Sequence, residues 1–190
     1  MSRRVDPWFL AGYAGIAGFG VLEATLRSPD GAADLRGGTE DQDTTRVLAA
    51  GYAGAALTAP LLRRLHLPPL PEAAKPLGVA LQAVGLGLRA WAMRTLAESY
   101  SRTLRVTNAQ DVVASGPYRR IRHPGYLGSL LIWLGFALTS GSPVVMAAVA
   151  GFLVPIYQRR IVAEEALLAD ELDGYEEYSG RTRRLVPYIW

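Results

Sequence analysis

The sequence contains no cysteine, which excludes disulfides, thiol nucleophiles and thiolate metal centres. Histidine is almost as scarce, with His66 and His123 alone. His66 sits in a Leu- and Pro-rich linker, so no metal-ligand cluster is visible. Charge is missing locally rather than globally. Charged residues make up 19% of the 190-residue chain and hydrophobic ones 50%, so the two kinds must be segregated along it. Sixteen residues without a formal charge lie between Asp6 and Glu23, and sixteen more between Arg46 and Arg63. A third stretch runs from Pro76 to Leu88 and resumes after Arg89, and the longest runs from His123 to Arg159.

About 20 apolar residues are needed to cross a hydrocarbon core of about 30 Å as a helix. The two 16-residue runs fall short of that, and they reach if Arg27, Arg46 and Arg63 extend their stems to the interface. The longest run is too long for one span and contains Ser140-Gly141-Ser142-Pro143, a turn signal that folds it into a hairpin. The expectation is a single all-α polytopic membrane domain with five spans near 7–26, 45–62, 76–96, 125–139 and 143–158. Residues 1–75 form a two-helix N-terminal part, and 76–190 form a core with a C-terminal tail. Ala14/Gly18 and Ala50/Gly54 have a small-xxx-small spacing that suits close helix packing in lipid. A soluble helical bundle is the competing fold. A signal peptide is the competing reading of the first run, but no Ala-x-Ala-type site follows it, so it is kept as an anchor.

Five spans put the termini on opposite faces. Fourteen of the twenty Lys and Arg residues fall on the face of the C-terminal tail and five on the other, with Arg89 inside a span. The positive-inside rule then places the C-terminal side in the cytoplasm and the protein in the cell membrane. Every basic cluster lies beside a span, so nucleic-acid binding is not indicated. Glu23 and Arg89 sit in or near spans, where polar side chains are costly, and a partner or a functional cavity is expected for each.

Two segments carry candidate chemistry. In 112-VVASGPYRRIRHPGYLGSLL-131 a Gly-Pro turn and the cluster Arg119, Arg120 and Arg122 lead into a His-Pro step. Pro124 suits the first turn of a helix. His123 then falls at the N-cap beside free backbone donors, a place for an anion such as a carboxylate. Anchoring of a helix end at lipid head groups accounts for the same arginines. In 157-YQRRIVAEEALLADELDGYEEYSGRTRRLVPYIW-190, Arg160 and Glu164 are four apart on one helix face, and Glu164 with Glu165 suits an ammonium or sulfonium ligand. An ordinary solvated juxtamembrane helix with an i,i+4 ion pair is the commoner reading of that pattern. Tyr175 and Tyr178, three apart, make either one aromatic wall or a pair of interfacial anchors.

Together, GPYRRIRHPGYLG, the R-x-x-x-EE-x-x-L that follows, and the closing Y-x-x-Y and R-x-V-P resemble the isoprenylcysteine carboxyl methyltransferase family, related to phospholipid N-methyltransferases. In size the chain is similar to the small prokaryotic members. The resemblance covers roughly 76–190. It implies an S-adenosylmethionine-dependent integral membrane methyltransferase with a lipophilic acceptor, carboxylate O-methylation being favoured. It implies cofactor contacts from Tyr118, Arg122, His123, Pro124, Tyr126, Gly128, Glu164, Glu165, Tyr175, Tyr178 and Pro187. It further implies that Arg160 and Glu164 lie near the reacting centre, with Arg160 orienting the acceptor. The acceptor's identity and the oligomeric state stay open, as does any part played by the 27–44 loop. An NADPH-dependent reductase of the sterol-reductase type and a non-enzymatic membrane scaffold are the alternatives.

Overall fold

The computed structural model describes residues 6–26, 39–65, 67–103 and 112–186. Its elements are α1 (Pro7–Leu26), α2 (Thr39–Leu62), α3 (Ala74–Thr103), a 3-10 turn (Gly116–Arg119), α4 (Pro124–Thr139), α5 (Pro143–Glu171) and α6 (Tyr175–Arg181). Among the described residues there is no strand, and an isolated parallel bridge joins Ile121 to Arg183. Each of the five expected spans has its helix.

Proline sets three of the helix starts, at Pro7, Pro124 and Pro143, where its missing N–H breaks no intrahelical bond. The turn expected at 140–143 is present. Gly141 there adopts φ +68°, a left-handed conformation that favours glycine, and Ser142 caps α5 by accepting from Val145 N at 3.5 Å. The ends differ from expectation more than the starts. α3 runs to Thr103 and α5 to Glu171, well past the apolar stretches that ended at 96 and 158. Charge ends a membrane span but not a helix, and 159–171 is rich in Ala, Leu, Glu and Arg, all strong helix formers.

α4 is the most enclosed helix, with Trp133, Phe136 and Ile132 essentially without exposure. It packs antiparallel to α3 through two glycine pairs. A Cβ on Gly78 would lie 2.5 Å from Gly135 O, and one on Gly85 2.6 Å from Gly128 O. Both pairs repeat every seven residues, so they share one face and allow the backbones to touch. The small-xxx-small pairs singled out in the sequence do not do this. Ala14 is exposed, and Gly54 has open space where a Cβ would stand. On α1 the close approaches fall instead at Gly12, against Thr139, and at Gly15, against Gln82.

Inside the bundle, aromatic rings touch in series from one end to the other. Phe9 stacks on Phe136 with centroids 6.2 Å apart. Phe136 meets Trp133 edge-on at 5.9 Å, and Trp133 stacks flat on Tyr52 at 4.6 Å. The Tyr52 and Tyr157 hydroxyls hydrogen-bond to each other, and Tyr157 leans on Tyr126 at 5.2 Å. At the Phe9 end, Arg63 lies 4.1 Å over the ring and pairs with Asp6 at 2.9 Å. The opposite end opens onto the polar residues of the two candidate segments.

Candidate active site

The first turn of α4, the charged half of α5 and the segment after α6 converge on Glu165. Its Oε1 accepts from Arg122 Nε at 2.6 Å and lies 3.1 Å from His123 Nε2. Its Oε2 accepts from Arg184 Nε at 2.8 Å. Arg122 also donates through Nη1 to the carbonyls of Ser179, at 2.8 Å, and Thr182, at 2.7 Å. Backbone bonds run alongside: Arg122 N to Arg183 O at 2.7 Å and His123 N to Arg184 O at 3.0 Å. One carboxylate thus joins the α3–α4 connection to the C-terminal segment.

This part of α5 lies beyond its apolar stretch. Burial disfavours the Glu165 carboxylate, but hydrogen bonds from His123, Arg122 and Arg184 outweigh it and hold the group at about 2. Two guanidiniums face one carboxylate, so the cluster carries net positive charge and suits an anion.

Glu164 has a different neighbourhood. Tyr126 Oη donates to Glu164 Oε2 and accepts from Arg160 Nε at 2.7 Å, so the phenol stands between two residues that the helix alone would pair. The Arg160 guanidinium also lies 5.7 Å from the Tyr126 ring centre. The ring stacks in parallel on His123 at 5.5 Å, which brings the two clusters into one site.

Tyr175 and Tyr178 form one wall, with centroids 5.9 Å apart and both side chains buried. Tyr178 Oη donates to the Tyr118 carbonyl at 2.8 Å. Burial pushes the Tyr178 phenol up to about 12, against the opposing pull of Arg122. Burial also raises Tyr175, with Glu165 adding to the shift, and raises Tyr118, with Glu164 adding to it. Tyr175 Oη is buried with no hydrogen-bond partner among the described residues.

Of the residues singled out in the sequence, Tyr118, Arg122, His123, Tyr126, Arg160, Glu164, Glu165, Tyr175 and Tyr178 lie together here. His123 is the N-cap of α4 and Pro124 its first residue. Arg119 and Arg120 of the basic cluster are exposed. Gly128 is placed in the α3–α4 crossing, where a Cβ would lie 2.8 Å from Gly85 O. Pro187, His66 and residues 27–38 of the loop lie outside the described residues. Glu23 and Arg89, singled out in the sequence only as charges in or near spans, meet below the first turn of α4. Arg89 donates to Glu23 at 2.5 Å and to Gly125 O and Ser129 Oγ, each at 2.8 Å, so the expected partner exists. Arg184 is the arginine of the closing R-x-V-P motif, and the motif alone does not single it out as a partner of Glu165.

Apolar helices with a polar cluster at one end, closed by a folded-back C-terminal segment, make up an all-α membrane-type fold. The solved eukaryotic intramembrane Ras methyltransferase, isoprenylcysteine carboxyl methyltransferase without a monobody, superposes with a TM-score of 0.52 at 19% identity, over 95% of this chain and 63% of that one. The phospholipid methyltransferase family model matches residues 74–172, and the chain belongs to that family. It is 26% identical over 197 residues to a probable protein-S-isoprenylcysteine O-methyltransferase of Oryza sativa subsp. indica, covering all of both chains. It is 33% identical over 113 residues to the cobalt-zinc-cadmium resistance protein CzcN of Cupriavidus metallidurans, which is 60% of this chain and 47% of that protein. The protein is accordingly a membrane methyltransferase of the isoprenylcysteine carboxyl methyltransferase-like type.

Proposed function

We propose that the protein transfers the methyl group of S-adenosylmethionine to a lipophilic acceptor reached from the bilayer, a carboxylate being favoured. The observation that carries this reading is the pairing of the Glu165 cluster, with its two guanidiniums, with the Arg160–Tyr126–Glu164 bridge on the same turn of α5. The cofactor's amino-acid end is a zwitterion. Arg122, His123 and the start of α4 suit its carboxylate, and Glu164 or Glu165 its ammonium group. The tail that includes Tyr175, Tyr178 and Pro187 is assigned to the adenosine, and the buried hydroxyl of Tyr175 offers it a donor. When bound, S-adenosylmethionine supplies an electrophilic sulfonium methyl group.

Displacement at such a centre is in-line, so alignment and exclusion of water supply most of the rate. Arg160 orients the acceptor and, with Glu164, stands nearest the reacting atoms. A carboxylate acceptor needs no general base, whereas an amine must first be neutral. The C-terminal segment over α4 and α5 keeps solvent away. With five spans the site falls on the face that holds fourteen of the twenty Lys and Arg residues, which favours a cytoplasmic active site in the cell membrane.

The test is calorimetric binding of S-adenosylhomocysteine to the protein in lipid nanodiscs, with NADPH as the competing ligand. Binding of S-adenosylhomocysteine alone is expected. Binding of NADPH alone would replace this reading with a reductase, and binding of neither would favour a scaffold.

A further inference from the structure

We propose that Arg89, held by Glu23 of the first helix, is a positioning residue that fixes the first turn of α4 and with it His123 and Tyr126. Both charges lie in the membrane-spanning part of the bundle, with side chains 17% and 24% exposed. Polar groups there are retained for a reason other than solubility. A pair that merely neutralised itself would end at the guanidinium–carboxylate contact. Here Arg89 Nε binds Glu23 at 2.5 Å, while Nη1 crosses to α4 and donates to Gly125 O and Ser129 Oγ. Ser129 Oγ in turn donates to Gly125 O at 3.2 Å.

The backbone contact lies in the turn that begins at the His123 N-cap and carries Tyr126. Directly below it, a Cβ on Gly128 would stand 2.9 Å from Arg89 Cβ, so α4 rests on α3 at this residue. The guanidinium face lies 5.3 Å from the Phe19 ring centre, which orients the fork. Lysine has one nitrogen and cannot serve Glu23 and Gly125 in the same geometry. Glu23 lies outside the stretch matched by the family model. The first helix therefore contributes to the site as well as to the anchor.

The link to ligand binding rests on the proposed methyltransferase reading, but the positioning is tested without it. Four variants in nanodiscs suffice: Arg89→Lys, Arg89→Met, Glu23→Gln and the exchange Glu23→Arg/Arg89→Glu. Amide hydrogen exchange over 122–130 is read beside thermal unfolding and S-adenosylhomocysteine affinity. The exchange variant restores an ion pair but places an acceptor against the Gly125 carbonyl, where a donor is needed. It is expected to unfold near the wild-type temperature while exchanging at least about tenfold faster over 122–130 and binding S-adenosylhomocysteine about tenfold more weakly. Arg89→Lys is expected to fold and to show the same local loosening, so the result does not depend on Arg89→Met being stable. Wild-type protection over 122–130 in Arg89→Lys and in the exchange variant would overturn the proposal and leave the pair a simple anchor. A wild-type protein that binds no S-adenosylhomocysteine would sink the functional reading, while the exchange data still decide the positioning.

Discussion

The adjacent glutamates Glu164 and Glu165 look equivalent in the sequence and are not. Glu165 takes Arg122, His123 and Arg184, and its loss would strand two guanidiniums around an empty centre. Glu165→Gln is therefore expected to release the C-terminal segment. Tryptic cleavage at Arg181 to Arg184 should rise by about tenfold or more, and S-adenosylhomocysteine binding should fall with it. Glu164→Gln keeps a partner for the Tyr126 phenol and should leave that cleavage at the wild-type rate. Equal protection in both variants would remove the clasp. The same carboxylate sets a pH dependence. Its folded value of about 2 lies below the ordinary 4.5, so its stabilisation is complete above about 4.5 and is lost as the pH falls from there toward 2. Protection of the segment at pH 5 should match that at pH 7 and should fail below about 3. The identities of His123, Tyr126, Arg160 and the two glutamates were legible because their motifs keep them close in sequence. Arg184 stands in the closing R-x-V-P motif, but its pairing with Glu165 was not legible, since that partner lies 19 residues away across a turn.

At the level of the elements, apolar runs located all five long helices, and the proline and glycine punctuation located their joints. The expected ends of α1, α2 and α4 were met, and those of α3 and α5 were overrun. α4 stops at Thr139 before the Ser-Gly-Ser-Pro turn, whereas α5 continues through Arg159 and Arg160 because polarity does not interrupt an intrahelical ladder. Packing faces were the least legible part. A helix rich in Gly and Ala offers many small-xxx-small pairs, and only the partner's shape selects among them. The crossing chosen by the fold uses Gly78 and Gly85 against Gly135 and Gly128. Overpacking such a contact costs about 1–3 kcal/mol or more. Gly85→Val is expected to lower the unfolding temperature in detergent by roughly 4 °C or more. Gly87→Val on the same helix, where a Cβ meets nothing within 4 Å, is the matched control and should shift it little. Equal shifts would mean that helix propensity, not the crossing, decides the cost.

For the whole molecule the physical question is how many of the five long helices cross one bilayer. Two of them, Pro7–Leu26 and Pro143–Asp170, are long and apolar enough to cross on composition alone, while the apolar parts Val47–Leu62 and Pro124–Thr139 are shorter. At 1.5 Å per residue a 16-residue stretch reaches about 24 Å, short of a core of about 30 Å. For α4 the shortfall matters little, because its side chains are mostly buried against its neighbours and protein rather than lipid meets its ends. For α2, Arg63 at the end is held over Phe9 and by Asp6, so the boundary there is built from ion pairs. The absence of native cysteine makes the arrangement directly measurable by single-cysteine labelling with a membrane-impermeant maleimide. Ser115→Cys and Glu176→Cys are expected to be shielded in intact cells and labelled in inside-out vesicles, with Glu72→Cys the reverse. Labelling of Glu72→Cys and Ser115→Cys from the same side would mean that α3 does not cross, and the five-span arrangement would fail. Opposite sides with the polarity inverted would keep the spans but put the candidate site outside the cell, and the arginine excess on that face would then belong to ligand binding rather than to orientation.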